Sequence, residues 1–217
     1  MAAHLYLVED YPVIRQGLTT AVAAEDDLAI CGGTGSIADA RTRIPEAHPD
    51  LALINIFLRD GNGLRLIEDL QEVATDLKTL VFSGQDESLY ARRALTAGAN
   101  GYLSKKEDME TILGAVRQVL DGGVYLSRKM TSVVLSERIR GQTAEQSPLE
   151  RLTNRELEVF TLIGQGLGRQ EISQRLSLSP KTIDTYRDHL KDKLALNTNA
   201  KLRRHAAVWV ATNELPE

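Results

Sequence analysis

Short apolar runs alternate with stretches of helical spacing through the first half of the chain, and the rhythm changes near residue 150. The segments HLYLVED (4–10), LAICG (28–32), LALIN (51–55), TLVFS (79–83) and GYLS (101–104) are short, rich in branched side chains and bounded by turn formers, so they predict strands. Helical spacing covers 12–24, 36–46, 64–74, 86–97 and 106–121. Strand and helix in strict alternation imply right-handed crossovers, so residues 1–121 are expected to form a doubly wound α/β domain around a five-stranded parallel sheet. In such sheets the ligand site lies beyond the carboxyl ends of the strands. Glu9, Asp10, Asn55 and Ser83 stand at three of those ends and Lys105 follows the fifth, so they are predicted to line one pocket.

The pattern then lapses. Residues 122–149 carry a possible helix around Met130–Arg138 and a polar, aperiodic stretch from Gly141 to Pro148, which together read as a linker. From 150 to 217 every periodic segment is helical. Thr153 followed by Glu156 forms a capping box before an apolar run. RQEISQRL gives a short second helix, and Ser179 caps a third that has Pro180 in its first position. A fourth runs from about Asn199 to Asn213. Two short helices joined by a tight turn, the second well capped, predict a helix-turn-helix within a small all-α domain of four helices.

Charge sharpens the division. Residues 1–121 hold 11 Lys+Arg and 19 Asp+Glu, a net of −8, whereas 150–217 hold 11 and 9, a net of +2. An acidic front and a mildly basic tail suit two different tasks. The first 20 residues have no basic start and two acids interrupt their apolar run, so neither a signal peptide nor a membrane span is expected. The single cysteine, Cys31, suits a reducing compartment, and the cytoplasm is the expected location. His4, His48, His189 and His205 lack metal-ligand spacing, and no enzymatic constellation is evident.

Several motifs carry a family resemblance over nearly the whole chain. The acidic pair Glu9–Asp10, the strand-end position 55, DGNG, Ser83 and AGANGYLSK with Lys105 resemble a CheY-like receiver domain. LTNRELEVFTLIGQGLGRQEISQRLSLSPKTIDTYRDHLKDKL resembles the LuxR-type helix-turn-helix, so the whole chain is similar to a NarL/FixJ-type response regulator. That resemblance implies an aspartate at position 55 that takes a phosphoryl group from a sensor kinase or small phosphodonor. It also implies Mg²⁺ held by Glu9 and Asp10, with Ser83 and Lys105 contacting the phosphoryl oxygens and Tyr102 as a switch aromatic.

Asn55 departs from the pattern at its centre. A carboxamide is a poor nucleophile, so phosphotransfer at this position is not expected. Phe57, Leu58 and Arg59 also depart from the family's usual residues, which favours a naturally diverged pseudo-receiver. A deliberate Asp-to-Asn replacement would give the same sequence, and a strand-end amide capping the next turn is the plainest alternative. With one carboxylate fewer, Glu9 and Asp10 should hold Mg²⁺ weakly if at all, no cofactor is required, and Lys105 should pair with one of them.

In the third C-terminal helix Ile183, Tyr186, Leu190 and Leu194 recur at helical spacing and should pack inward. Lys181, Thr182, Asp184, Thr185, Arg187, Asp188 and Lys191 should face out, and the resemblance lays this helix in the major groove of double-stranded DNA. Asp184 and Asp188 would repel phosphate. A homodimer is expected, with Leu202, Ala206 and Trp209 of the last helix as candidate contacts. The functional reading is a DNA-binding transcription regulator. Its rival is a signalling decoy that pairs with a related regulator or a kinase.

Overall fold

The computed structural model describes residues 2–140 and 148–213. The chain divides into two compact units at Val133 and Val134. In the first, strands β1 (Ala3–Val8), β2 (Leu28–Thr34), β3 (Leu51–Ile54), β6 (Lys78–Ser83) and β7 (Tyr102–Ser104) form one parallel sheet in the order β2-β1-β3-β6-β7. Helices α1 (Pro12–Val22), α2 (Ile37–Ala47), α3 (Gly63–Val73), α4 (Glu87–Thr96) and α5 (Met109–Leu120) alternate with the strands. The fold is the doubly wound five-stranded α/β architecture that the alternation predicts.

β3 is buried at all four positions, as a central strand covered on both faces must be. Leu5, Leu7, Leu53, Leu80, Phe82 and Leu103 form one core with Val116 and Val119 of α5. The strand order places the ends of β1 and β3 side by side, with Val8 opposite Ile54. Glu9 and Asn55 therefore leave the sheet together.

Between β3 and α3 the chain forms a miniature antiparallel ladder, β4 (Phe57–Leu58) with β5 (Gly61–Asn62). No period marks so short a pair, and the sequence reads there only as a Gly-rich turn. Gly63 lets α3 start against this loop, since a Cβ on it would lie 2.0 Å from the Asn55 carbonyl oxygen. Asp60 ties the loop to the start of α2, accepting the Ile37 N–H at 3.0 Å and the Ser36 hydroxyl at 2.7 Å. Burial pushes the Asp60 carboxyl up, but these donors outweigh it and hold the group below its ordinary range.

The stretch expected as a linker is in part structured. Tyr125 bridges to Gly101, its N–H donating to Asn100 and its carbonyl accepting from Tyr102. Helix α6 (Arg128–Arg140) follows Ser127, whose N–H donates to Glu87 at 2.9 Å, and Met130 is buried. Hydrogen bonding to the sheet edge thus continues past residue 121. The polar residues 141–147 lie outside the described residues.

In the second unit the chain past Pro148 folds into α7 (Asn154–Gly164), α8 (Arg169–Arg175), α9 (Pro180–Lys193) and α10 (Asn199–Asn213). The Thr153 hydroxyl accepts the Glu156 N–H and the Glu156 carboxylate accepts the Thr153 N–H, which closes the predicted capping box. Ser179 caps α9 by accepting the Thr182 N–H at 3.1 Å. Leu157, Phe160, Ile163, Ile172, Ile183 and Leu190 are buried. Gly164 permits α7 to approach α10 closely, because a Cβ there would meet the Ala206 carbonyl at 2.5 Å. Among the described residues no helix is long and apolar enough to cross a membrane.

Candidate functional site

The strand ends build a small ionic pocket. Lys105 Nζ lies 2.6 Å from Glu9 Oε2, and both side chains are almost wholly buried, at 8% and 2% exposure. Burial drives the Glu9 carboxyl above its ordinary range and the Lys105 ammonium pulls it back only in part. The Lys105 ammonium also sits 5.7 Å from the ring centres of both Tyr11 and Phe82. Lys105 is thus paired with one member of the acidic pair, as the missing aspartate at position 55 requires.

Asn55 is buried, and its amide nitrogen takes the other acid. Nδ2 donates to Asp10 Oδ1 at 3.2 Å and to the Phe57 carbonyl at 2.8 Å. Both partners are acceptors, so an inverted amide would set oxygen against oxygen twice. The chemistry therefore fixes the NH₂ group toward Asp10. Arg59, which the sequence shows only as a departure from the family pattern, brings its Nε to 3.8 Å from Asp10 Oδ2. Arg15, one turn into α1, donates to the Glu9 carbonyl.

These residues do not suit a divalent cation. Glu9 Oε1 accepts the Tyr11 N–H at 3.1 Å, Glu9 Oε2 meets Lys105, and the two Asp10 oxygens face Asn55 Nδ2 and Arg59. A hard cation needs free oxygen ligands, whereas every oxygen of this pair faces a nitrogen donor. Among the described residues no group of three or more His, Cys, Asp or Glu side chains is placed to hold a metal.

Ser83 and Tyr102 are both buried. The Ser83 carbonyl accepts the Lys105 N–H at 2.9 Å, which ties it to the pocket by backbone, while its hydroxyl accepts the Gln85 N–H at 3.3 Å. The Tyr102 hydroxyl donates to the Gln85 carbonyl at 2.7 Å, and burial pushes its ionisation far above the ordinary range. The aromatic is therefore turned inward and anchored to the loop that precedes α4.

The second unit presents α9. Ile183 and Leu190 are fully buried, with Tyr186 and Leu194 half-buried beside them. Lys181, Thr185 and Asp188 are exposed, while Thr182, Asp184, Arg187 and Lys191 are half-exposed. Both outward acids have partners. Asp188 meets Lys191 at 2.9 Å, and Asp184 meets Arg169 of α8 at 2.9 Å. Lys193 reaches back to Glu156 at 2.6 Å, which draws that carboxyl below its ordinary range despite its burial. Arg169 escapes a search confined to α9 because it lies 15 residues from Asp184. A cation in the first turn of a helix, where the dipole disfavours it, is the one available signal.

The last helix corrects an expectation. Leu202 and Ala206 are buried at 1% and 0% exposure, so they belong to the core of their own unit and offer no dimer surface. A domain of four short helices has too few apolar positions to leave them outside. Trp209 is half-buried with its ring 5.8 Å from that of Phe160, and Val208 is exposed.

Residues 5–117 match the response regulator receiver domain family, and residues 150–206 match the bacterial regulatory proteins of the luxR family. The chain belongs to the LuxR-type response regulators. It is similar to the DNA-binding transcriptional activator DevR/DosR of Mycobacterium tuberculosis, 33% identical over 205 residues that cover 94% of this chain and 92% of that one. BvgA of Bordetella pertussis is 33% identical over 190 residues, or 87% and 88% of the two chains. Among solved structures, RcsB of Salmonella typhimurium aligns at a TM-score of 0.74 with 19% identity, covering 96% of this response regulator and 98% of RcsB. At that identity the likeness speaks for the fold.

Proposed function

We propose that this LuxR-type response regulator controls transcription by binding double-stranded DNA as a homodimer, and that its receiver works without a phosphoryl group on Asn55. The observation that carries the second part is the Asn55 amide, which donates to both Asp10 and Phe57. A group that donates at that point cannot be the carboxylate nucleophile of an acyl-phosphate switch. DNA binding is supported by the luxR family match and by the basic and polar face of α9. Paired half-sites need two reading helices, hence the dimer. Output would follow protein level, or a partner that engages the receiver.

As repellers of DNA, an unpaired Asp184 and Asp188 would favour the rival reading, a signalling decoy. With each carboxylate paired to a basic neighbour, that support weakens. The test is fluorescence anisotropy of the full chain on a labelled mixed-sequence duplex. Binding should tighten as salt falls, with a log-log slope of a few units, and Lys181→Ala or Arg187→Ala should each reduce the slope by about one. No binding at low salt, by a chain whose circular dichroism shows intact helices, would remove the DNA-reading function.

A further inference from the structure

The ion pair between Arg169 and Asp184 joins two helices of the DNA-binding unit, and each side chain is about half exposed, at 47% and 46%. Such a pair adds little to folding stability, because water screens it and both side chains lose freedom to form it. Its place gives it another consequence. Asp184 lies on the face of α9 that the proposed function turns to DNA, one turn before Asp188 and one turn after Lys181. An uncompensated carboxylate there would face a polyanion at close range, where like charges repel.

The groups around the pair favour the same assignment. Arg187, on the next turn of α9, is partly buried, and that burial lowers its affinity for a proton. Arg203 of α10 and Arg169 push in the same direction, while Asp184 pushes back. Arg169 of α8, Asp184 and Arg203 of α10 thus all lie near Arg187, and among these Asp184 is the one acid. Asp184 can draw an arginine from α8 because α8 begins with it, so the guanidinium reaches across the turn to Oδ2.

We infer that Arg169 is a positioning residue for DNA binding, holding and neutralising Asp184 so that α9 can approach the duplex, with Lys181 and Arg187 left to meet phosphates. The inference rests on the DNA-reading function proposed above. It differs from the simpler possibility that Arg169 is one more phosphate contact, and a double-mutant cycle separates the two.

The full chain and its Arg169→Gln, Asp184→Asn and doubly substituted forms are titrated against the same mixed-sequence duplex over a range of salt. Arg169→Gln alone should weaken binding roughly fivefold to tenfold, because it exposes the carboxylate. In the Asp184→Asn background the same change should cost less than about twofold and leave the salt slope nearly unaltered. Equal losses in both backgrounds, with a slope lower by about one each time, would overturn the inference and make Arg169 an independent phosphate contact. If the unsubstituted chain binds no DNA, the functional proposal itself fails and this inference with it. Thermal melts of the four proteins should coincide within a few degrees, which keeps folding out of the comparison.

Discussion

Lys105→Met should destabilise the receiver by about 3–5 kcal/mol at neutral pH, since it strands a carboxylate that is almost entirely shielded from water. The effect has a defined pH dependence. Burial already holds Glu9 above its ordinary range, so the folded protein binds a proton there more readily than the unfolded chain does. The stability that follows from this is complete below the unfolded-state value and is lost as pH rises through the raised folded-state value. Without the ammonium, only the Tyr11 N–H still opposes burial, so the folded value moves higher, and the loss with rising pH becomes larger and extends further. The variant should therefore lie closest to the unsubstituted protein near about pH 4 and fall away from it toward pH 8. Adding Glu9→Gln should return most of the loss, because a neutral amide beside methionine leaves no buried charge. Urea unfolding at a series of pH values reads both effects. A Lys105→Met loss that is flat with pH, or that Glu9→Gln leaves unchanged, would show that the pair does not hold the pocket as described.

Asn55→Asp is expected to be the second large perturbation. It replaces two hydrogen-bond donations, to Asp10 at 3.2 Å and to the Phe57 carbonyl at 2.8 Å, with two oxygen-oxygen contacts in a buried site. The cost should be about 2–4 kcal/mol in the presence of a chelator. Three carboxylates in place of two also create the oxygen-rich, strongly negative cluster that a hard divalent cation seeks, so millimolar Mg²⁺ should restore much of the loss. The unsubstituted protein, whose acidic oxygens already face nitrogen donors, should show no comparable Mg²⁺ dependence. An Asn55→Asp protein as stable as its parent in chelator would mean that the amide is not what holds Asp10.

Much of this was legible in the residues, for reasons that can be stated. Strand-helix alternation specifies a parallel sheet because crossover connections leave little choice, and β-strand ends specify the pocket because the sheet brings them to one edge. The pairing of Lys105 with an acid followed from charge alone. The orientation of the Asn55 amide did not, since it depends on the Phe57 carbonyl presented by a two-residue ladder too short to carry a pattern. Leu202 and Ala206 were ambiguous because helical spacing marks an apolar face without saying whether its own domain or a partner covers it. Only the approach of α10 to Gly164 and Phe160 resolves that. The hold on Tyr125 by Gly101 and its neighbours, and that of Arg169 on Asp184, are contacts across 24 and 15 residues with no periodic trace.

Whether Asn55 takes a phosphoryl group is decided by incubating the full chain with acetyl phosphate and Mg²⁺, then measuring its intact mass and its DNA affinity together. Mass and affinity should both stay unaltered, while the Asn55→Asp protein alongside should gain the mass of one phosphoryl group. A phosphoryl group found on the peptide that spans β3 and β4 of the unsubstituted chain, accompanied by tighter DNA binding, would contradict the proposal that the receiver works without a phosphoryl group on Asn55.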